Sequence, residues 1–228
     1  MKGKIALLAA AAFLLTAMPV LAGTITYNFG ANGSSHDGEL NTGASFGVSP
    51  YQITAYGFVG LTTDVASRNL YQKDDGSSED GLGLNSTTDH EINPQQAIVF
   101  DVANLISAGY TGGTFTLGSL QSGEEGEVAG FNGISAGSLV VGSSYGDVSQ
   151  YADGATTAGT GNIFVNWGSN PYVGFITDSH QSSSTGNFLV DGLTVTTTPE
   201  PATIFLLLPA LLLLGWVGRR WWNGAPAA

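Results

Sequence analysis

Thr114-Phe115-Thr116-Leu117-Gly118-Ser119-Leu120 and Asn162-Ile163-Phe164-Val165-Asn166-Trp167 are short runs of β-branched, aromatic and aliphatic residues broken by small polar ones. Successive side chains of a strand point to opposite faces, so such runs read as strands that need a core on at least one side. Outward from these two, the same texture recurs in Thr24 to Phe29, Tyr51 to Val59, Asn69 to Gln72, Gly81 to Leu84 and Ala97 to Val102. It continues in Gly126 to Phe131, Ser138 to Val141, Tyr172 to Ile176 and Asn187 to Thr196, with Gly, Ser, Asn and Asp clusters between the runs. No amphipathic helix of useful length intervenes. The expectation is an all-β, antiparallel two-sheet β-sandwich of jelly-roll type, with about eleven strands.

Glycine, 33 of 228 residues, sits largely between these runs, as in Gly109 to Gly113 and Gly137 to Gly146, which read as turns. The aromatic and β-branched content argues against disorder. Gln181 to Gly186 is a serine-rich loop.

Both ends differ from this middle. Lys2 and Lys4 precede an apolar stretch from Ile5 to Ala17, Pro19 follows, and Val20-Leu21-Ala22 supplies small residues for signal peptidase. Residues 1–22 are therefore expected to be a signal peptide cut after Ala22. At the far end Ala202 to Val217 is apolar on every face, a helix of roughly 24 Å at about 1.5 Å per residue. Trp216, Trp221 and Trp222 crowd its end and Arg219-Arg220 follow, which places that end on the cytoplasmic side of an inner membrane. The expected organisation is an ectodomain over residues 23–195, a linker over 196–201, a transmembrane helix over 202–218 and a basic, aromatic tail over 219–228.

Pro199-Glu200-Pro201 stands immediately before the apolar run, a stiff, extended segment with few backbone donors that suits a protease groove. Pro199-Glu200-Pro201, the apolar helix and Arg219-Arg220, in that order, resemble the tripartite tail of the PEP-CTERM sorting-domain family. Eight residues, Trp221 to Ala228, follow the arginine pair where that family usually stops sooner. The resemblance implies that exosortase, a membrane-embedded transpeptidase-like protease, reads the tail. It implies release or transfer of the cargo to the surface of a Gram-negative cell that makes exopolysaccharide. Gly81-Leu82-Gly83-Leu84, His90-Glu91-Ile92, Ala97 to Val102 and Phe188 to Val195 also look like ectodomains of this family, whose last strand leads into the anchor.

Between Gly23 and Thr198 lie seventeen of the eighteen acidic residues, against Arg68 and Lys73 alone. Nucleic-acid binding rests on cations that neutralise phosphates, so this charge balance excludes it. Cysteine is absent, which removes disulfides, thiol nucleophiles and cysteine-ligated metals.

The densest acidic segment holds Asp74, Asp75, Glu79 and Asp80, followed by Asp89 and Glu91, and offers oxygens to calcium, which takes six to eight of them. Its spacing lacks the EF-hand pattern, so a calcium site would be an irregular loop site, set against a plain solvated acidic loop. Asp101 and Asp191 are candidate further oxygens, or strand-end residues that cap turns. Glu124, Glu125 and Glu127 read as a second solvated acidic turn.

Gly133 to Gly137 and Gly142 to Gly146 match G-x-S-x-G around Ser135 and Ser144, but a nucleophile elbow needs a strand, a sharp turn and a helix. His36, His90 and His180 lie in polar contexts without zinc spacing and read as solvated loop residues. Of Tyr56, Phe58, Tyr71, Tyr145, Tyr151, Trp167 and Tyr172, most are expected in the core, though a sugar-stacking face can be made from such rings.

The reading that fits these features is an exported, non-enzymatic surface or matrix protein. Its processing partners are signal peptidase and exosortase, and extracellular polysaccharide is the expected surroundings. The alternatives are a calcium-assisted carbohydrate-binding module and a secreted glycan hydrolase built on a carboxylate pair.

Overall fold

A computed structural model describes residues 23–30, 38–60, 65–74, 79–86, 88–120, 124, 126–135, 138–147, 159–177 and 187–196. The signal peptide, Pro199-Glu200-Pro201, the apolar helix and Arg219-Arg220 lie outside the described residues, as do Asp75, Glu125, His36, His180 and Tyr151. Among the described residues no helix is long and apolar enough to cross a membrane.

Thr24–Thr196 forms one compact unit, almost entirely β. Its strands are β1 (Thr24–Asn28), β2 (Gly38–Leu40), β3 (Ala44–Phe46), β4 (Ile53–Val59), β5 (Ala66–Arg68), β6 (Leu70–Asp74) and β7 (Asp80–Leu84). They continue with β8 (Gln96–Asp101), β9 (Gly112–Leu120), β10 (Glu127–Ser135), β11 (Ser138–Asp147), β12 (Gly159–Asn166), β13 (Tyr172–Ile176) and β14 (Leu189–Thr196), with a single helical turn, α1 (Ala103–Ser107), after β8.

Two antiparallel seven-stranded sheets result. The first runs β12-β9-β14-β7-β6-β2 with β1 also on β14, and the second runs β11-β10-β13-β8-β4-β3 with β5 on β4. An alternating column of rings joins them. Phe29, just after β1, stacks on Phe100 of β8 at 5.0 Å, Phe100 lies 5.4 Å from Phe115 of β9, and Phe115 meets Phe175 of β13 at 5.1 Å. All four rings are fully buried, so the apolar stripes of both sheets share one core.

The outer faces of the two sheets differ. In the first sheet alternation is clean: Ile163, Val165, Phe115, Leu193 and Val195 point inward, while Asn162, Phe164, Thr114 and Thr194 point outward. The second sheet also carries a small apolar cluster of Phe58, Ala97, Val99, Ala129 and Phe131, on the positions that alternate with its core residues. That is why β8 is buried almost throughout.

All eleven expected strands are present. Three more, β2, β3 and β5, are only three residues long. Beyond the expected strand Ser138 to Val141, Gly142 to Gly146, expected as a turn, is also strand: β11 continues to Asp147 because it pairs with β10 through bulges at Ala129 and Phe131.

Candidate functional site

The acidic segment is organised around one cation. Hairpin β6-β7 pairs Lys73 with Gly81 and Asp74 with Asp80, and the chain after β7 folds back so that Ile92 bridges Phe188. Lys73 Nζ then donates to Glu79 Oε2 at 2.6 Å and to Glu91 Oε1 at 3.2 Å. The Ser119 hydroxyl on β9 sits between the same two carboxylates, 2.6 Å from Glu91 Oε1 and 3.3 Å from Glu79 Oε1. Glu91 and Ser119 are buried, and the Lys73 side chain is only 12% exposed.

Burial pulls the Lys73 ammonium down, but its two carboxylate partners outweigh burial and leave it firmly protonated. Burial pushes the Glu91 carboxyl up, with Glu79 adding to the rise and Ser119 and Lys73 opposing it without cancelling it. The two shifts are not mirror images: the lysine answers to two anions, whereas Glu91 is the most deeply buried charge among the described residues and has one cation.

The turn that delivers Glu91 is built by its neighbours. Asp89 Oδ1 accepts from the Glu91 N–H at 3.3 Å and from the Asn93 side-chain amide at 2.9 Å, so it is engaged within the turn. His90 is left-handed at φ 59, and its ring stacks on Tyr71 at 3.7 Å, with Nδ1 buried and unpartnered. His90 is thus not the solvated loop residue expected. Gly83 is the reason, because a Cβ there would lie 1.8 Å from the His90 carbonyl oxygen and hold the turn away.

A second acidic contact lies across the first sheet. Asp191 sits at the β14 bulge, half-buried, and its carboxyl is pushed up first by burial and then by Asp80. Gly30 accommodates both acids, since a Cβ there would stand 3.2 Å from Asp191 Oδ1 and 3.1 Å from Asp80 Cβ.

Of the six expected calcium residues Asp75 lies outside the described residues, and the other five are divided. Glu79 and Glu91 meet at Lys73, Asp80 faces Asp191, Asp89 caps its own turn, and Asp74 pairs with Asp80 in the strand register. Among the described residues no three acidic or histidine side chains gather as metal ligands. Asp101 accepts from the Ala103 N–H at 2.9 Å, in the turn that leads from β8 into α1. Glu124, expected in a solvated turn, is buried. Ser144 lies inside β11, paired opposite Ala129, and not in the sharp turn that a nucleophile elbow needs.

Phe58 and Trp167 are core residues, and Tyr56, Tyr71, Tyr145 and Tyr172 are half-buried. Phe164, by contrast, is 67% exposed on β12. Its place was legible in the alternation Ile163-Phe164-Val165, where its two neighbours take the core.

No protein-family model, curated protein or solved structure matches the chain.

Proposed function

We propose that the chain is an exported, non-enzymatic protein of the cell surface or extracellular matrix of a Gram-negative bacterium. It is sorted through Pro199-Glu200-Pro201 by exosortase and held among exopolysaccharide. Its working part is a jelly-roll-like sandwich, a reading supported by the way the chain changes sheet at each step from β7 to β10 and again from β12 to β14.

The observation that carries the proposal is the position of β14. This strand pairs with β1, β9 and β7, and it ends at Thr196. Thr197 and Thr198 alone then separate it in sequence from Pro199. A peptidase acting at the Pro-Glu-Pro segment would detach the apolar tail without removing any described strand. The non-enzymatic reading fits the engagement of Glu79 and Glu91 by Lys73, of Glu91 by Ser119, and of Asp89 within its own turn.

Replacing Pro199-Glu200-Pro201 by three alanines tests this. The altered chain should stay in the inner-membrane fraction at full length, while mass spectrometry of the unaltered protein should find both ends trimmed. Normal release of the altered chain would refute the sorting assignment.

A further inference from the structure

We infer that the outer face of β1, β14, β9 and β12 in the first sheet is a binding surface for a neutral polysaccharide, with Phe164 as its stacking platform. The strand register builds that face. Across β1, β14, β9 and β12, one row reads Thr26, Thr194, Thr114 and Phe164. The next reads Asn28, Gly192, Thr116 and Asn162, and Thr24 opposite Thr196 begins a third. Neighbouring strands lie about 4.8 Å apart, so these side chains form a grid and not scattered points.

Three properties choose the occupant. The first is charge: β1, β9, β12 and β14 together carry one charged side chain, Asp191, in a region with seventeen acids. Apart from that half-buried acid at the β14 bulge, these four strands bring no charge, so they have nothing with which to hold a polyanion and meet a neutral ligand without an unpaired ion. The second is chemistry, because threonine hydroxyls and asparagine amides both donate and accept, as sugar hydroxyls do. Thr116 Oγ1 already donates to Asn162 Oδ1 at 3.0 Å, and the Thr26 and Thr194 hydroxyls lie 3.5 Å apart, so the grid is bonded along its rows.

The third is Phe164. The phenyl ring stands 67% exposed in mid-strand and lies over Gly112, whose Cβ would come within 3.2 Å of its ring, so the ring is open to a ligand on this face. A flat ring flanked by hydroxyls and amides matches the C–H face and the hydroxyl rim of a sugar. A protein partner would want a larger apolar centre than one ring.

This inference rests on the extracellular reading for its biological setting, but its test does not depend on sorting. The purified full chain in detergent is sedimented with microcrystalline cellulose, with cross-linked dextran beads and with calcium alginate beads as the polyanion control. The expected result is retention on at least one neutral glucan, at least tenfold weaker binding by Phe164→Ala, weaker binding by Thr116→Val, and no retention on alginate. Phe164 is on the surface, so an unchanged circular dichroism spectrum should accompany its loss of binding. Retention on neither neutral glucan, retention on alginate, or equal binding by both variants and the parent would each overturn the inference. A chain that binds glucan yet is not processed at Pro199-Glu200-Pro201 would refute the sorting proposal alone.

Discussion

Lys73 Nζ lies 3.2 Å from Glu91 Oε1, and this contact fastens the turn after β7 onto β6. Of the two cations between Gly23 and Thr198, Lys73 is the one placed among carboxylates, with Glu79 at 2.6 Å as its second partner. One buried ammonium thus makes tolerable the approach of two acids to Ser119.

Lys73→Met should destabilise the domain by about 3 kcal/mol, because it leaves Glu91 charged and buried without its cation. Glu91→Gln should cost less, about 1 kcal/mol, since Lys73 keeps Glu79 and the amide can still bond Ser119. The double variant should be less destabilised than the sum of the two, because the stranded charge is gone. Urea unfolding of all three chains checks this, and strict additivity would show that the pair is not coupled.

Acidity should stabilise this protein over the mildly acidic range. Glu91 and Asp191 both titrate above their ordinary values, so the folded state holds their protons where the unfolded chain has released them. Their contribution is fully present below the ordinary carboxylate pKa and is lost as pH rises through the raised values. Repulsion among the seventeen acids acts in the same direction. Glu39, held down by the Asn69 and Asn85 amides, acts oppositely but is fully exposed. The melting temperature should therefore fall between about pH 4.5 and pH 7, and Asp191→Asn should flatten the fall. A parent curve that rises over that interval, paralleled by the variant, would contradict the burial argument.

What the sequence made legible divides along a physical line. Strands such as β9 and β14, whose inward residues reach the shared core, were readable because burial imposes alternation on them. Gly38–Leu40, Ala44–Phe46 and Ala66–Arg68 were not, because three residues contain too little period to be seen. The outer half of β11 was missed because Gly142-Ser143-Ser144 has turn composition, and its strand conformation comes from pairing with β10. In the acidic segment the residues were visible but their partners were not. Ser119 is separated from Glu79 by 40 positions, and only the sheet register brings them together.

Two glycines should respond oppositely to the same change. At Gly83 an added Cβ would meet the His90 carbonyl oxygen at 1.8 Å and the Leu189 side chain at 2.9 Å, so Gly83→Ala must displace the turn that carries Glu91. A loss of about 3 kcal/mol, or failure to accumulate as soluble protein, is expected. At Gly133 nothing lies within 4 Å of the added carbon, and Gly133→Ala should be neutral or stabilise by about 0.5 kcal/mol through the unfolded chain. Thermal melts of the two variants side by side decide the matter; similar losses at both sites would show that backbone freedom and not packing governs them.

Trp167 offers a direct reading of both core and processing. It is 2% exposed, and its indole N–H donates to the Tyr110 carbonyl at 3.2 Å, whereas Trp216, Trp221 and Trp222 all lie beyond Pro201. A chain trimmed at the Pro-Glu-Pro segment should therefore emit from one buried indole, blue-shifted and poorly quenched by acrylamide, and should redden on unfolding. Trp167→Phe should abolish tryptophan emission from the trimmed protein and cost about 2 kcal/mol, because the Tyr110 carbonyl loses its buried donor. Ready quenching in the folded, trimmed protein would place Trp167 at the surface and remove it from the core shared by Phe115 and Phe175.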